Sequence, residues 1–168
     1  MLKRLIARTW RIVRGPMQWR VLWLAHSKFM VGVTGVVRDS EGRVLLLRHR
    51  LWPEDRQWGL PTGYAIGGED FSQTVVREVK EETGLDVKAG GLVHLKSGYK
   101  LRVEVAYEAE HIGGTPKLDS FEILEAKWYS PDSLPSGMQD SHRLLIQATG
   151  KDRAYSHPTN SSSAIPQA

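Results

Sequence analysis

The chain has 168 residues, with 23 lysines and arginines against 19 aspartates and glutamates and a formal net charge of +4. This length is sufficient for one domain with a hydrophobic core and short extensions. The chain contains no cysteine, which excludes disulfides, thiolate nucleophiles and cysteine-ligated zinc or iron–sulfur centres. Because nothing in the composition indicates an oxidising compartment, the expected location is the cytoplasm.

The positive charge is concentrated near the N-terminus, where the first acidic residue is Asp39. "MLKRLIARTWRIVR" places apolar and basic residues on opposite sides of a helix, which predicts an amphipathic basic helix. Gly15 and Pro16 interrupt it, and "MQWRVLWLAH" predicts a second, tryptophan-rich apolar helix. Neither segment has the uninterrupted apolar run of a membrane span or a secretory signal.

Residues 1–28 are therefore predicted to form a basic amphipathic helical arm, for which three interpretations stay open. The arm could lie on an anionic membrane surface, as basic helices with tryptophan do. It could instead bind RNA electrostatically, or pack on the domain with its arginines in water. The expected location is accordingly cytoplasmic, with peripheral attachment to the membrane surface as the alternative.

Residues 29–150 have the pattern of one domain with strands and helices. "MVGVTGVVRD" and "RVLLLRHR" flank the turn signal "DSEG" and predict a β-hairpin. "LVHL", "LRVEVAYEAEH" and "ILEAKWYS" predict further strands, and "MQDSHRLLIQAT" predicts a closing helix. Residues 151–168 are polar, and we expect them to form a disordered tail.

Residues 70–84 predict a helix with three glutamates on one face. Asp70 begins it, and Gly84 is placed to end it. Glu78, Glu81 and Glu82 share a face because they are three or four residues apart, and each like-charge pair costs roughly 0.2–0.5 kcal/mol. The ordinary interpretation is a solvated acidic face that neighbouring basic side chains neutralise.

The loop before this helix, here called the glycine loop (residues 63–69), favours a different interpretation. Gly63, Gly67 and Gly68 allow a close approach of the backbone to a ligand, and Glu69 adds a fourth carboxylate. Clustered carboxylates bind hard cations such as Mg²⁺ or Mn²⁺ through oxygen ligands. The loop and the helix together therefore predict a site for a metal ion and a phosphate group.

The stretch from residue 63 to residue 85 resembles the Nudix box, the signature of the Nudix hydrolases, at every position. The similarity extends over about residues 30–150, because "WGLP" and "SFEILEAKWYSPDSLP" also resemble their counterparts in that family. The positions that match the box are Gly63, Glu69, Arg77, Glu78, Val79, Glu81, Glu82, Gly84 and Leu85.

The resemblance implies a fold and a reaction. The fold is an α-β-α sandwich of the α+β or α/β class, with a mixed β-sheet and, here, an N-terminal helical extension. The reaction is the divalent-metal-dependent cleavage of a diphosphate bond in a nucleoside diphosphate linked to another moiety, by metal-activated water. The alternatives are a Nudix-fold ligand-binding or regulatory module and an RNA 5′-end pyrophosphohydrolase. A homodimer is also compatible with the resemblance.

The resemblance also implies roles for the acidic residues. Glu78 and Glu82 are the expected principal ligands of Mg²⁺ or Mn²⁺, with Glu81 as a further ligand or as the base that activates water. Arg77 is expected to pair with Glu69 or a neighbouring glutamate and to hold the loop against the helix. Gly63, Glu69 and Gly84 shape that loop.

Two further assignments concern positions outside the helix. Glu122 is expected as an additional catalytic or metal-binding glutamate, with Glu125 as the alternative. The backbone carbonyl of Thr62 is a candidate metal ligand, although relatives commonly have glycine there and threonine resists positive φ.

Arginine and aromatic residues are the candidates for substrate binding. Arg48 and Arg50 could bind phosphates, or could be a solvated pair. Trp52 and Tyr64 could stack on a base, whereas Trp58 is expected in the core. The identity of the nucleotide-type substrate does not follow from these residues.

Overall fold

The computed structural model describes residues 15–98, 101–118 and 121–150. The helix predicted for the first part of the basic arm and the tail predicted to be disordered both lie outside these ranges. The second predicted helix of the arm is present. It begins at the proline that follows Gly15, as expected from the fixed φ of proline.

One mixed sheet organises the described residues. The elements are α1 (Pro16–Ala25), β1 (Met30–Arg38), β2 (Val44–His49), a 3₁₀ turn (Glu54–Arg56), β3 (Trp58–Gly59), β4 (Thr62–Tyr64), α2 (Phe71–Thr83), β5 (Leu85–Ser97), β6 (Arg102–Gly114), β7 (Ile123–Tyr129) and α3 (Asp140–Gly150). Seven strands form the sheet in the order β3-β2-β1-β6-β5, with β4 paired to β1 and β7 paired to β2. The β1–β6 pair is parallel and the other pairs are antiparallel.

Hydrophobic side chains fill both faces of the sheet. On one face, Val33 and Val105 pack with Val75 and Val79 of α2. On the other face, the core includes Ile146 of α3 together with side chains from β1 and β2. Successive strand residues point to opposite faces, so the valine- and leucine-rich runs of these strands supply both cores. The predicted sandwich with a mixed sheet is thereby confirmed.

The acidic helix α2 lies directly on the backbone of the central strand. A Cβ atom added to Gly35 would lie 2.6 Å from Cγ1 of Val75, which is closer than real contacts allow. Glycine at this position therefore lets the helix approach the sheet closely. The result is a fixed position for the glutamates that α2 carries.

Strand β4 is an element that the sequence pattern does not predict. Thr62–Tyr64 pairs with residues 32–34 of β1, thirty residues earlier in the chain. A segment of three residues is too short to show a period, and its pairing partner is distant in sequence. The pairing places the glycine loop beside the start of β1, which the hairpin prediction does not indicate.

His49 at the end of β2, Trp52 after it and His142 of α3 form a cluster of rings where the sheet meets α3. The ring of His49 stacks on Trp52 with centroids 3.7 Å apart, and Trp52 also contacts His142. Nδ1 of His142 accepts a hydrogen bond from the backbone N–H of Leu60 at 3.0 Å, so this nitrogen carries no proton. Burial lowers the pKa of both histidines to about 4.

We predict that the fold loses stability as the pH falls from 6.5 towards 4. These histidines take up a proton near pH 6.5 in the unfolded chain but only near pH 4 in the folded chain. The free energy of unfolding is therefore highest above pH 6.5 and falls as the pH is lowered from there towards 4. The loss is up to about 3 kcal/mol for each histidine. Urea unfolding across this range measures it. His142→Asn keeps an acceptor but does not titrate, so its pH dependence should be shallower. Identical pH profiles for the two proteins would contradict the prediction.

Candidate active site

Helix α2 begins and ends as its sequence predicts. Asp70 is the N-cap, and its backbone N–H donates to Oε1 of Gln73 in a capping box. Gly84 ends the helix with a φ of +74°, and a Cβ there would lie 2.5 Å from the carbonyl oxygen of Thr115. Glycine meets both requirements, the left-handed backbone and the close approach.

The guanidinium of Arg77 is the centre of the hydrogen-bond network around the site. It donates to Oε1 of Glu69 at 2.9 Å, to Oε1 of Glu78 at 2.7 Å and to Oε2 of Glu81 at 3.3 Å. It also donates to the backbone carbonyl of Tyr64 at 3.1 Å. One cation therefore contacts the glycine loop, the strand before it and two glutamates of the helix.

Glu69 connects the glycine loop to α2 through hydrogen bonds. Besides its hydrogen bonds with Arg77, it accepts one from the backbone N–H of Ile66 at 3.2 Å and one from Oγ1 of Thr74 at 2.8 Å. The hydrogen bond from Arg77, with smaller contributions from these donors, lowers the pKa of Glu69 to about 2. Glu69 is therefore ionised at any physiological pH, and its hydrogen bonds connect the loop to α2.

Lys80 does not help to neutralise the acidic face. Its Nζ donates to the carbonyl oxygen of Gly84 at 3.1 Å and to Oδ1 of Asp86 at 2.7 Å. A lysine in the last turn of a helix interacts favourably with the negative end of the helix dipole. The ordinary interpretation, in which nearby basic residues balance all three glutamates, therefore applies to Glu78 and Glu81 but not to Glu82.

Glu78 lies against the backbone of Gly63. A Cβ atom added to Gly63 would overlap with the carboxyl group of Glu78. The absence of a side chain at Gly63 therefore creates the space that the carboxylate occupies. This contact joins β4 to α2 within the stretch that resembles the Nudix box.

Glu82 is the most unusual side chain of the site. It is only 9% exposed, and its Oε2 atom is buried without a hydrogen-bond partner. Burial, followed by the negative charges of Glu78, Glu122 and Glu81, raises its pKa to about 8. Burying a carboxyl group among other carboxylates costs free energy of folding unless a cation or a hydrogen-bond donor contacts it.

The donor chemistry of these residues fits a divalent cation. Within residues 15–98, 101–118 and 121–150, no three histidine or acidic side chains are already arranged around a point that could hold a metal ion. Glu82 nevertheless offers a buried oxygen without a protein partner, beside the carboxylates of Glu78, Glu81 and Glu122. Oxygen donors of this kind are those that Mg²⁺ and Mn²⁺ prefer.

The structure distinguishes Glu122, just before β7, from Glu125 within that strand. Glu122 is close enough to Glu82 to raise its pKa. Glu125 is instead in ion pairs with Lys127 and, at 3.7 Å, with Arg48. The electrostatic contact with the site thus belongs to Glu122.

Thr62 lies at the edge of the site in an extended backbone. Its hydroxyl donates to the carbonyl oxygen of Leu60 at 3.1 Å and lies 3.1 Å from the hydroxyl of Thr34. Among the described residues other than glycine, a positive φ occurs at Leu101 alone. Threonine at position 62 therefore meets no backbone strain, and its side chain faces the neighbouring strand β1.

A cleft of about 610 Å³ opens beside Thr62, between the sheet and α3. Trp52, a predicted substrate-binding residue, contributes to its lining, and Tyr64 lies next to it through a hydrogen bond from Arg102 at 3.4 Å. The polar lining residues that the sequence did not indicate include His94, Lys96, Arg102, Glu104, Gln139 and His142. They come from β5, β6 and the region of α3, so strand pairing rather than any local motif brings them together.

Arg48 and Arg50 lie outside the lining of this cleft. The side chain of Arg50 donates to the carbonyl oxygen of Phe121 at 2.9 Å, and its backbone N–H donates to the carbonyl oxygen of Glu122 at 2.8 Å. Arg50 therefore positions the segment that carries Glu122. Trp58, expected in the core, packs against the second hydrophobic cluster and contacts Tyr129 edge to face.

The family model described as the NUDIX domain matches residues 28–149. The chain belongs to the Nudix family. The predicted membership of this family is confirmed, and the complete Nudix box coincides with the network around Arg77.

Two relatives illustrate the range within this family. An NAD-capped RNA hydrolase NudC of Vibrio atlanticus (strain LGP32) is 33% identical over 120 residues, which is 67% of this chain and 43% of the relative. An ADP-ribose pyrophosphatase of Methanocaldococcus jannaschii is 28% identical over 120 residues, 68% of this chain and 70% of the relative. The match thus spans less than half of the first of these relatives.

Solved Nudix structures show the same fold. An ADP-ribose pyrophosphatase from Streptococcus suis 89-1591 has a TM-score of 0.61 at 23% identity, over 76% of this chain and 96% of that one. A MutT Nudix hydrolase from Burkholderia pseudomallei has a TM-score of 0.62 at 24% identity, over 73% of this chain and 98% of that one. At this identity the likeness concerns the fold alone.

We predict that Gly63→Ala disrupts the site, because the new methyl group would occupy the position of the Glu78 carboxyl group. Overpacking of this kind costs about 1–3 kcal/mol, and the displaced carboxylate should lower hydrolytic activity. Gly67→Ala is the matched control, since a Cβ there meets nothing within 4 Å. Urea unfolding and turnover measure both effects. Equal behaviour of the two variants would contradict the role assigned to Gly63.

We also predict that Glu82→Gln stabilises the metal-free fold at high pH. Burial raises the pKa of the Glu82 carboxyl group from 4.5 to about 8, so its ionisation costs the fold nothing below pH 4.5, where the group is protonated. The free energy of unfolding then decreases as the pH rises from 4.5 through 8, because the unfolded chain ionises this acid more readily than the folded chain, in which it is buried. Glutamine does not titrate, so the variant should gain roughly 1–3 kcal/mol over the wild type at the upper end of this range. Urea unfolding with a chelator measures the difference. Glu81→Gln, at a mostly exposed position, is the control and should change stability little.

Proposed function

We propose that this protein hydrolyses a diphosphate bond in a nucleoside diphosphate linked to another moiety, and that the reaction depends on a divalent cation. The observation that carries the proposal is the buried, unpartnered Oε2 atom of Glu82 beside Glu78, in a complete Nudix box. A binding or regulatory module would not need to retain such a costly buried acid. Membership of the Nudix family supports the same reaction class.

Glu78 and Glu82 would hold the cation, with Glu81, Glu122 and the carbonyl of Thr62 as further candidate ligands. When bound, Mg²⁺ or Mn²⁺ supplies charge that stabilises the transferring phosphoryl group and lowers the pKa of water. Arg77 keeps Glu78 in place through its hydrogen bond of 2.7 Å, and the bare backbone of Gly63 leaves room for that carboxylate.

The reaction needs a group that accepts a proton from the attacking water. Water forms a new bond to one phosphorus atom, the bond from that phosphorus to the bridging oxygen breaks, and the bridging oxygen leaves with the other phosphate. Glu81, an exposed glutamate of α2, is one candidate base, and Glu122 is the second, because it adds negative charge beside Glu82. A carboxylate in either place can accept the proton as general base.

The cleft beside Thr62 is the proposed binding site for the nucleoside part of the substrate. Trp52 lies in its lining, and the Arg102 guanidinium packs on the Tyr64 ring with its carbon 5.4 Å from the ring centroid. Aromatic and guanidinium groups provide stacking surfaces for a base. The names of the relatives suggest ADP-ribose and NAD-capped RNA as substrates to test.

We predict that Glu82→Gln lowers cation-dependent turnover by on the order of 10²-fold or more, because it removes a negative oxygen from the cation site. The measurement is release of nucleoside monophosphate from ADP-ribose, NAD⁺, NAD-capped RNA and other nucleoside diphosphate derivatives, with Mg²⁺ or Mn²⁺. Glu125→Gln, a glutamate in surface ion pairs, is the control and should retain activity. Undiminished turnover by Glu82→Gln would refute the site. Binding without turnover by the wild type across the panel would favour the binding-module alternative.

The two candidate bases can be separated with the same substrates. Loss of the base should flatten the acidic limb of the pH profile of kcat/KM, whereas loss of a positioning group should lower its height without changing its shape. Glu81→Gln and Glu122→Gln therefore form a matched pair. Cleavage in ¹⁸O-labelled water identifies the phosphorus atom that is attacked.

A further inference from the structure

Helix α1 presents large apolar side chains to solvent on nearly all sides. None of its residues is buried. Trp19 and Leu24 are each 73% exposed, and Met17, Val21, Leu22 and Trp23 are also exposed. Soluble proteins rarely expose so many large apolar side chains together unless the surface has a partner.

Further exposed apolar residues lie where the chain passes from α1 into the domain, at the end of β1 that is near the glycine loop. Phe29 and Met30 follow the helix and are exposed, and the N–H of Met30 donates to the carbonyl oxygen of Leu101, which is exposed as well. Ile66, exposed in the glycine loop, follows Ala65, whose N–H donates to the carbonyl oxygen of Val31 at 3.0 Å. The backbone pairing thus places these apolar residues at one end of β1.

The charged residues of α1 and of the segment that joins it to β1 are both positive, namely Arg20 and Lys28. Before Asp39 the sequence contains no acidic residue, and the Nζ atom of Lys28 lies 4.0 Å from the ring centroid of Trp23. A cation over an exposed tryptophan combines a ring that favours the interface with a charge that favours anionic headgroups. The basic residues before Asp39 are Lys3, Arg4, Arg8, Arg11, Arg14, Arg20, Lys28 and Arg38.

We propose that α1, with the exposed residues at the start of β1, binds the surface of an anionic lipid bilayer. A ten-residue helix is about 15 Å long, half the thickness of the hydrocarbon core. In the part of the chain that the structure describes, no helix is long and apolar enough to cross a membrane. The helix therefore lies in the interface with its tryptophans at headgroup depth.

A lipid surface fits these observations better than RNA or a second copy of the chain. RNA would use the cations but would leave six large apolar side chains of α1 without a partner. A second copy would place one positive surface against another, since the charge before Asp39 has a single sign. An anionic bilayer satisfies the charge and the apolar surface together.

The test is co-sedimentation of the full chain with vesicles of phosphatidylglycerol and phosphatidylcholine. We expect binding that weakens when the salt concentration rises and that is lost with pure phosphatidylcholine. Trp19→Ser with Trp23→Ser should reduce binding by about tenfold or more, because two interfacial rings are removed. The vesicle-induced blue shift of tryptophan emission should disappear in the same variant.

The matched control is Leu95→Ser with Ile112→Ser, two side chains that are each 63% exposed elsewhere on the sheet. This control should bind vesicles like the wild type. Equal binding by the two double variants, or no binding by the wild type, would overturn the proposal.

The other partners have distinct outcomes. A dimer in sedimentation velocity without lipid, which the tryptophan substitutions abolish, would assign the surface to a second copy. Binding of a single-stranded RNA that the same substitutions weaken, without vesicle binding, would assign it to RNA. Either result overturns the lipid proposal. Circular dichroism verifies that both variants are folded, and α1 supplies no buried side chain whose loss would unfold the domain.

Discussion

The Arg77 guanidinium fixes the arrangement on which the rest of the site depends. Its donors reach Glu69 of the loop, Glu78 and Glu81 of the helix and the backbone of Tyr64. Without this cation, several carboxylates would lie close together with no positive charge among them, and the loop would lose its attachment to α2. A planar group with five donors suits this task, whereas the single ammonium of lysine would not span the same partners.

Among the described residues, the same network leaves one carboxylate, that of Glu82, without a basic partner. Arg77 and Lys80 are committed to other partners, and the core closes over Glu82. A fold selected for stability alone would place glutamine or an apolar residue there. A cation bound to Glu82, as proposed above, would offset the free-energy cost of burying this carboxylate. Ionisable groups with strongly shifted pKa values are concentrated at functional sites.

The sheet connects this site with the two other surfaces of interest. Strand β1 packs against α2 at Gly35, pairs with β4 at the glycine loop and begins beside α1. Its pairing with β6 also brings Arg102 into the cleft.

Much of the fold and of the acidic site follows from local sequence patterns. The capping box at Asp70, the terminating Gly84 and the one-face placement of Glu78, Glu81 and Glu82 depend on residues within a few turns of helix, so the sequence predicts them. The predicted hairpin strands and the later strands are present for the same reason, since their apolar runs are local. The Nudix family is also identifiable at this level, because the box is contiguous.

The tertiary structure alone decided what depends on distant pairing. Strand β4, the overlap that excludes a side chain at Gly63, and the cleft with Arg102 and His142 all join segments that are far apart in the chain. The burial of Glu82 likewise results from packing, which no period reveals. The sequence by itself determined which groups could bind a cation. Only the fold determined which carboxylate is left without a partner, because burial and hydrogen bonding are properties of the packed chain.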